Sequence, residues 1–359
     1  MKITIVGGGN IGTQFAVHCA HKGHEVTMFS SKPERFGKQL KCVDSQGNVT
    51  CQGDIRGATA EPEEAFAQAD VIFVTVPADC MAEYADRIAP YAKPGMKIGL
   101  IPGTGGGECA FRSCLEKGAV IFGLQRVPAV ARLVEYGNAV CSTGYRGLLH
   151  AAALPKKETE SCCRLLESIF DIPCAMLPDY LNLTLTPSNP ILHTTRLRTL
   201  YGDYAPGVVY EKIPLFYQDW SDESSRLLIE CDAEVQALCA AMKEFDLSGV
   251  KSLKEHYESD TVEKMTHKIS HIPAFQGLTS PQVAVEGGFI PDLNSRYFTA
   301  DFSYGLAILV QVAEMVGLDA PNMKATLKWY QDLAGSPTMF RFSQWGMETY
   351  DDLVRFYRQ

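Results

Sequence analysis

The sequence predicts an α/β domain built on a parallel sheet, followed by a mainly α-helical domain, and three observations carry that prediction. A short apolar run, Lys2–Val6, feeds Gly7-Gly8-Gly9-Asn10-Ile11-Gly12, which opens an amphipathic stretch to His21. Strand-like and helix-like segments then alternate as far as Leu124. From about Pro178 the alternation gives way to longer helix-like segments. Alternation of the first kind implies a doubly wound sheet.

The elements follow in order. Lys2–Val6 is the first strand, and the glycines after it have separate uses: Gly7 permits a tight turn, Gly9 lets backbone approach an anion, and Gly12 lets the helix pack on the strand. Unpaired N–H groups at the start of that helix suit a pyrophosphate, so the first domain is Rossmann-type and dinucleotide-binding. Gly23–Phe29 reads as a second strand and Ala69–Val76 as a later, fully buried one. A helix from Ala78 to Tyr91, a strand Lys97–Ile101, the loop Pro102–Gly107, a helix to Lys117 and a strand Val120–Leu124 continue the pattern. The loop falls at the carboxyl end of its strand, where open α/β sheets bind ligands. Beyond it, Pro190–Leu200, Glu223–Phe245, Ala300–Val316 and Asn322–Leu333 read as helices. The expected domains are 1–178, binding NAD(P), and 179–359, carrying substrate and catalysis, with the cleft between them as the expected substrate site.

Composition narrows the partners. The chain has 359 residues, a formal net charge of −9 and a hydrophobic fraction of 46%, which fits two globular domains and argues against nucleic acid or an anionic membrane as a partner. No secretory leader or membrane-spanning stretch is expected. Twelve scattered cysteines without C-x-x-C pairs read as small apolar residues in a reducing cytoplasm. Small molecules are the expected partners, and a homodimer is compatible with the sequence.

The cofactor is read from the end of the second strand. An NAD-selective site places an acid there to bind the ribose hydroxyls. Here Phe29 is followed by Ser30, Ser31 and Lys32, with Arg35 close behind, and hydroxyls with cations suit a ribose 2′-phosphate. NADP(H) is therefore favoured over NAD(H). The cofactor-binding set is Gly7, Gly9, Asn10, Ile11, Gly12, Ser30, Ser31, Lys32, Arg35, Val76 and Pro77.

The second half holds a candidate reaction centre. Asn189-Pro190-Ile191-Leu192-His193 has the form of a helix start, with Asn189 as N-cap, Pro190 at the first helical position and His193 in the first turn. A helix N-terminus favours neutral imidazole, so a carboxylate is needed to support the protonated ring, and Asp301 is the candidate. Arg296 offers a planar fork to a substrate carboxylate.

Spacing alone does not pair these residues. Four motifs do: the Gly-Gly-Gly-Asn turn, Pro128-Ala-Val-Ala-Arg132 ahead of Gly137-Asn-Ala-Val140, Asn189-Pro-x-x-His193, and Arg296-Tyr-x-x-x-Asp301-x-x-Tyr304-Gly305-Leu306. In that order the chain resembles the opine (octopine/nopaline) dehydrogenase family over both domains. The resemblance implies an NAD(P)H-dependent oxidoreductase acting on CH–NH, in which a 2-oxo acid and an amino acid or amine condense to an imine that hydride reduces. It further implies that His193 is catalytic, that Asp301 orients it and that Arg296, with Asn189, binds substrate.

The chain is short for that family, and no residue can be matched to recognition of the amine. Tyr201, Tyr204, Tyr217, Trp220 and Arg196 are pocket candidates, although aromatic residues in a helical domain more often form core. His18, His21 and His24 recur every three residues and His267 and His271 share a helical spacing, yet neither set makes a metal site, and no metal is expected. Cys109 and Cys114 read as packing residues. A 2-dehydropantoate-reductase-like or other hydroxyacid dehydrogenase is the runner-up, for which Lys156 and Lys157 would supply a lysine. A nicotinamide-sensing regulatory protein is the third reading.

Overall fold

A computed structural model describes residues 1–358 and divides them into two compact units, one of Met1–Thr184 joined by the segment from Val354, the other Leu185–Leu353. The sequence had assigned that final segment to the second domain. In the first unit twelve strands follow in order: β1 (Lys2–Val6), β2 (Glu25–Phe29), β3 (Gln39–Val43), β4 (Val49–Asp54), β5 (Gly57–Thr59), β6 (Val71–Val74), β7 (Lys97–Leu100), β8 (Val120–Leu124), β9 (Val130–Glu135), β10 (Ala139–Thr143), β11 (Leu149–Leu154) and β12 (Cys174–Met176).

Eight of them form one sheet in the order β12-β11-β8-β7-β6-β1-β2-β5. Strands β5, β2, β1, β6, β7 and β8 are mutually parallel, and their centre is buried on both faces, which is why β6 and β8 read as continuous apolar runs. The sheet is not parallel throughout, because β11 runs antiparallel to β8 and β12 follows β11. From β1 the chain winds outward through β2 to β5, then returns to β6 on the other side and winds away. The reversal between β1 and β6 is the topological switch point, where such sheets open a crevice for a dinucleotide.

A second sheet, β4-β3-β10-β9, was not expected. Its strands are short, with Leu40 and Cys42 buried on β3, Ala131 on β9 and Val140 and Ser142 on β10, and the parallel β3–β10 pair joins remote segments. The helix Asn10–His21 is enclosed between the sheets: Phe15, Ala16, Val17 and Cys19 pack in one core with Ile3, Ile5 and Phe73 and with Leu40, Cys42 and Val140. A Cβ at Gly53 would stand 2.5 Å from His21 N, so β4 lies directly on this helix. Burial on nearly every side accounts for its weak amphipathy.

The second unit is mainly helical, with helices Ser188–Tyr201, Asp222–Ala241, Val262–Ser270, Ala307–Met315 and Pro321–Ala334. Ser221 caps the longest by accepting from Ser224 N. One hairpin, β13 (Gln282–Val285) with β14 (Gly288–Pro291), interrupts the helices and was not foreseen. The single helix expected over Ala300–Val316 is two pieces, a π-helical turn Phe302–Leu306 and the α-helix Ala307–Met315, preceded by a separate helical turn Arg296–Thr299. No described helix is long and apolar enough to cross a membrane.

Candidate active site

The glycine turn stands at the switch point. Gly7, at φ +100°, donates its N–H to Phe29 O and adopts a conformation open to glycine. A Cβ on Gly12 would lie 1.8 Å from Gly7 O, so any other residue there would push the helix off its strand. Gly9 faces open space, which leaves room for an anion against its backbone. The first intrahelical bond runs from Thr13 N to Gly9 O, so the amides of Asn10, Ile11 and Gly12 have no acceptor within the helix. The Asn10 side chain is already used, its carbonyl accepting from Leu133 N at 2.8 Å, which leaves its backbone N–H for a ligand. Val76, beyond β6, places Cγ1 3.2 Å from where a Gly7 Cβ would be, and Pro77 next to it is exposed. These features fit a dinucleotide.

At the end of β2 the four polar residues differ. Ser30 is buried, with Oγ bonded to Tyr136 Oη at 3.0 Å and accepting from Lys32 N at 3.2 Å, so it shapes the turn. Ser31, Lys32 and Arg35 are exposed. The Arg35 guanidinium lies 4.8 Å over the Tyr136 ring, which gives it a fixed seat beside the turn. No carboxylate directly follows Phe29, the first being Glu34.

In the second unit, the structure brings His193 and Asp301 together. Asp301 Oδ2 is 2.7 Å from His193 Nδ1, and Tyr217 Oη is 2.8 Å from Nε2. A carboxylate accepts, so Nδ1 carries the proton and the Tyr217 hydroxyl donates to Nε2. Burial raises the Tyr217 phenol above its ordinary range, with the neighbouring Tyr297 adding to the effect, and so keeps it a donor. The Tyr297 ring lies 4.4 Å from the imidazole, Phe216 5.5 Å from it, and Phe216 and Tyr297 stack at 4.8 Å. His193 is thereby an imidazole held at both nitrogens in an aromatic box, able to exchange a proton through Nε2.

The elements explain this meeting. Gly305 packs against Pro190, whose Cγ would be 2.8 Å from a Cβ there, so the π-helical turn and the helix Ser188–Tyr201 approach closely. The bond from Leu306 N to Asp301 O closes the wider π turn directly after Asp301. The helix begins at Ser188, after Pro187, and no side chain caps it. Asn189 is therefore inside the helix and is not its N-cap, Pro190 is its third residue, and His193 lies in the second turn. The cause is that the helical conformation extends back to Pro187, whose fixed φ starts a helix without a polar cap. Asn189 is exposed one turn before His193 on the same face. Arg296 is exposed at the start of its helical turn, next to Tyr297.

Several pocket candidates prove structural. Arg196 is buried and donates to Phe216 O, Leu215 O, Asp219 O and Ser224 Oγ, so four of its five N–H donors are spent on the fold, and burial lowers its pKa to about 10. It pins the segment that presents Phe216 and Tyr217. Tyr201 is core, donating to Pro281 O, and Trp220 is core, donating to Ser225 Oγ. Tyr217 had been grouped with these aromatics, and only the fold reveals its bond to His193. Cys109 and Cys114 are buried, and burial raises both thiols, Cys114 to about 11. Lys156 and Lys157 are exposed, Lys156 paired with Asp179 at 3.3 Å.

Comparison with known proteins agrees with this geometry. Residues 176–334 match the family described as NAD/NADP octopine/nopaline dehydrogenase, alpha-helical domain, and residues 2–103 match the NAD-dependent glycerol-3-phosphate dehydrogenase N-terminus. Octopine dehydrogenase of Mizuhopecten yessoensis is 29% identical across 93% of this chain and 90% of its own length. Tauropine dehydrogenase of Arabella iricolor is 25% identical across 93% and 91%. A solved octopine dehydrogenase with NADH and L-arginine has the same fold, with a TM-score of 0.86 at 24% identity over 99% of this chain and 98% of that one. With relatives of this kind along its length, the hydroxyacid-dehydrogenase and sensor readings are not favoured. A dinucleotide turn in one unit and a carboxylate-held histidine in the other thus meet a full-length likeness: residues 176–334 match the octopine/nopaline dehydrogenase helical domain, the chain resembles opine dehydrogenases along its length, and it is an NAD(P)-dependent oxidoreductase that reduces the imine formed between a 2-oxo acid and an amino acid or amine.

Proposed function

We propose that this enzyme uses NADP(H) in preference to NAD(H), with His193 as its proton donor, Asp301 as the group that orients it, and Arg296 and Asn189 binding the 2-oxo acid. The observation that carries the reading is the bonded chain Asp301–His193–Tyr217. Asp301 fixes the tautomer, so Nε2 is the nitrogen that takes up a proton and passes it to the nitrogen or oxygen that gains charge as the double bond is reduced. Tyr217 lies on that proton's path. The Arg296 fork takes the oxo-acid carboxylate in a bidentate pair and sets the oxo carbon for attack by the amine. When bound, the cofactor supplies the hydride. Gly7, Gly9, Gly12 and the amides of Asn10 and Ile11 hold its pyrophosphate, Val76 and Pro77 line its passage, and Ser31, Lys32 and Arg35 meet the 2′-phosphate, with Ser30 holding their turn. Twelve free cysteines support a reducing, cytoplasmic setting.

The test follows NADPH oxidation with several 2-oxo acids, each with and without a panel of amino acids and amines. Turnover requiring both substrates is expected; equal turnover with the oxo acid alone rejects the proposal. His193→Ala should lower kcat by about 10²–10⁴-fold while leaving NADPH affinity unchanged. Ser31→Asp places a like charge against the 2′-phosphate and should shift the NADPH/NADH ratio of kcat/KM by about tenfold or more towards NADH. An unchanged ratio removes this turn from cofactor choice.

A further inference from the structure

One cluster of metal-ligating side chains takes no part in the chemistry above. His18 lies near the end of the helix Asn10–His21, and Cys42 and Cys51 are direct partners across the antiparallel pair β3–β4. The His18 nitrogen and both sulfurs lie within 4.8 Å of one another. The Tyr145 hydroxyl, just beyond β10, is 2.9 Å from His18 Nε2 and 3.7 Å from Cys42 Sγ. Cys42 is buried, His18 and Cys51 are half-buried and Tyr145 is exposed, so the cluster has a solvent side. The sequence had grouped His18 with His21 and His24. The fold instead occupies His21 Nδ1 with Gln52 O and surrounds His18 with thiols from other strands.

We propose that His18, Cys42 and Cys51 bind a thiophilic divalent cation of the zinc type, with the Tyr145 oxygen or a water as fourth donor. Bond lengths of about 2.3 Å to sulfur and 2.0–2.1 Å to imidazole put tetrahedral ligand atoms about 3.5–3.8 Å apart. The cluster reaches that spacing by contracting roughly an ångström, within the range of side-chain rotation. Two thiolates neutralise the dication, and their two protons pass to solvent as it binds. The carboxyl end of the helix adds a dipole that favours a cation beside His18. A second thiol pair, Cys163 with Cys174, has no such imidazole, and among the described residues the His18 cluster is the one that meets metal-ligand geometry. A bound ion would fasten the small sheet to the helix that starts at the glycine turn.

The experiment uses the full chain, reduced and stripped with a chelator, and titrates it with Co(II). One equivalent should produce the visible bands of tetrahedral cobalt and the near-ultraviolet thiolate-to-cobalt charge transfer, both abolished by Zn(II), and Zn(II) should raise Tm. Cys51→Ser and His18→Gln should each weaken Co(II) binding by about tenfold or more, while Cys174→Ser should bind as the unmodified protein does. The proposal is overturned if the unmodified protein gives no charge-transfer band at one equivalent, if the band survives in Cys51→Ser, or if mass spectrometry finds Cys42 and Cys51 joined as a disulfide after chelator treatment and the reduced chain takes up no metal. Because the first measurement needs no variant, a substitution that impaired folding would leave the result standing.

Discussion

His193 is held at both nitrogens, and the two partners have unequal consequences. Asp301 sets the tautomer, whereas Tyr217 occupies the nitrogen through which a proton leaves in the proposed reaction. Tyr217→Phe keeps the aromatic ring, including its stack on Phe275 at 4.4 Å, and removes only the hydroxyl. We expect kcat to fall by about tenfold or more with the NADPH dissociation constant unchanged, and the pH profile of kcat to move, since the imidazole loses a hydrogen-bond donor. A variant with unaltered kcat and pH profile would leave Tyr217 a packing residue. Both partners come from sequence positions remote from His193. Only the motif resemblance tied Asp301 to it, and nothing in the sequence tied Tyr217.

At the scale of elements, the site depends on how closely the helix Ser188–Tyr201 meets the π-helical turn Phe302–Leu306. Gly305 sets that distance, because a Cβ would collide with the Pro190 ring. Gly305→Ala should cost about 1–3 kcal/mol of stability and lengthen the His193–Asp301 bond, so thermal unfolding and kcat should fall together. If stability drops but kcat holds, the dyad does not need this approach. The π turn could not have been foreseen, since Phe302–Met315 reads as one uninterrupted apolar helix and a π turn differs from it by one residue of register. The small sheet escaped for another reason: its strands are short, and β3 pairs with β10 about a hundred residues away, a contact no local pattern records.

At the scale of the whole chain, the segment from Val354 is held within the first unit through a buried carboxyl. Glu108 Oε1 accepts from Thr184 Oγ1 at 2.5 Å and from Tyr357 Oη at 2.6 Å. Complete burial raises the Glu108 pKa above the ordinary carboxyl range. The native state therefore keeps its proton to higher pH than the unfolded chain does. The stability this contributes is full below the unfolded pKa and declines as pH rises towards the folded one. Glu108→Gln has no such ionisation and retains an acceptor oxygen. Thermal unfolding measured from about pH 4 to about pH 8 should show the variant gaining on the native chain as pH rises. A constant difference across that range would show that Glu108 does not ionise on unfolding.

By itself the sequence determined what depends on neighbours along the chain: the β1–glycine–helix unit, the buried parallel strands, the absence of an acid directly after Phe29, and the residue types offered at His193, Arg296 and Asp301. Those features rest on local conformation and on burial patterns that repeat at short period, and both are written in consecutive residues. Tertiary structure alone decided that Asn189 lies within its helix, that Arg196 spends its fork on backbone carbonyls, that Tyr217 completes the histidine site, and that His18 keeps company with Cys42 and Cys51. Each of those outcomes is a contact between distant segments, fixed by which surfaces pack together and which buried donors need acceptors.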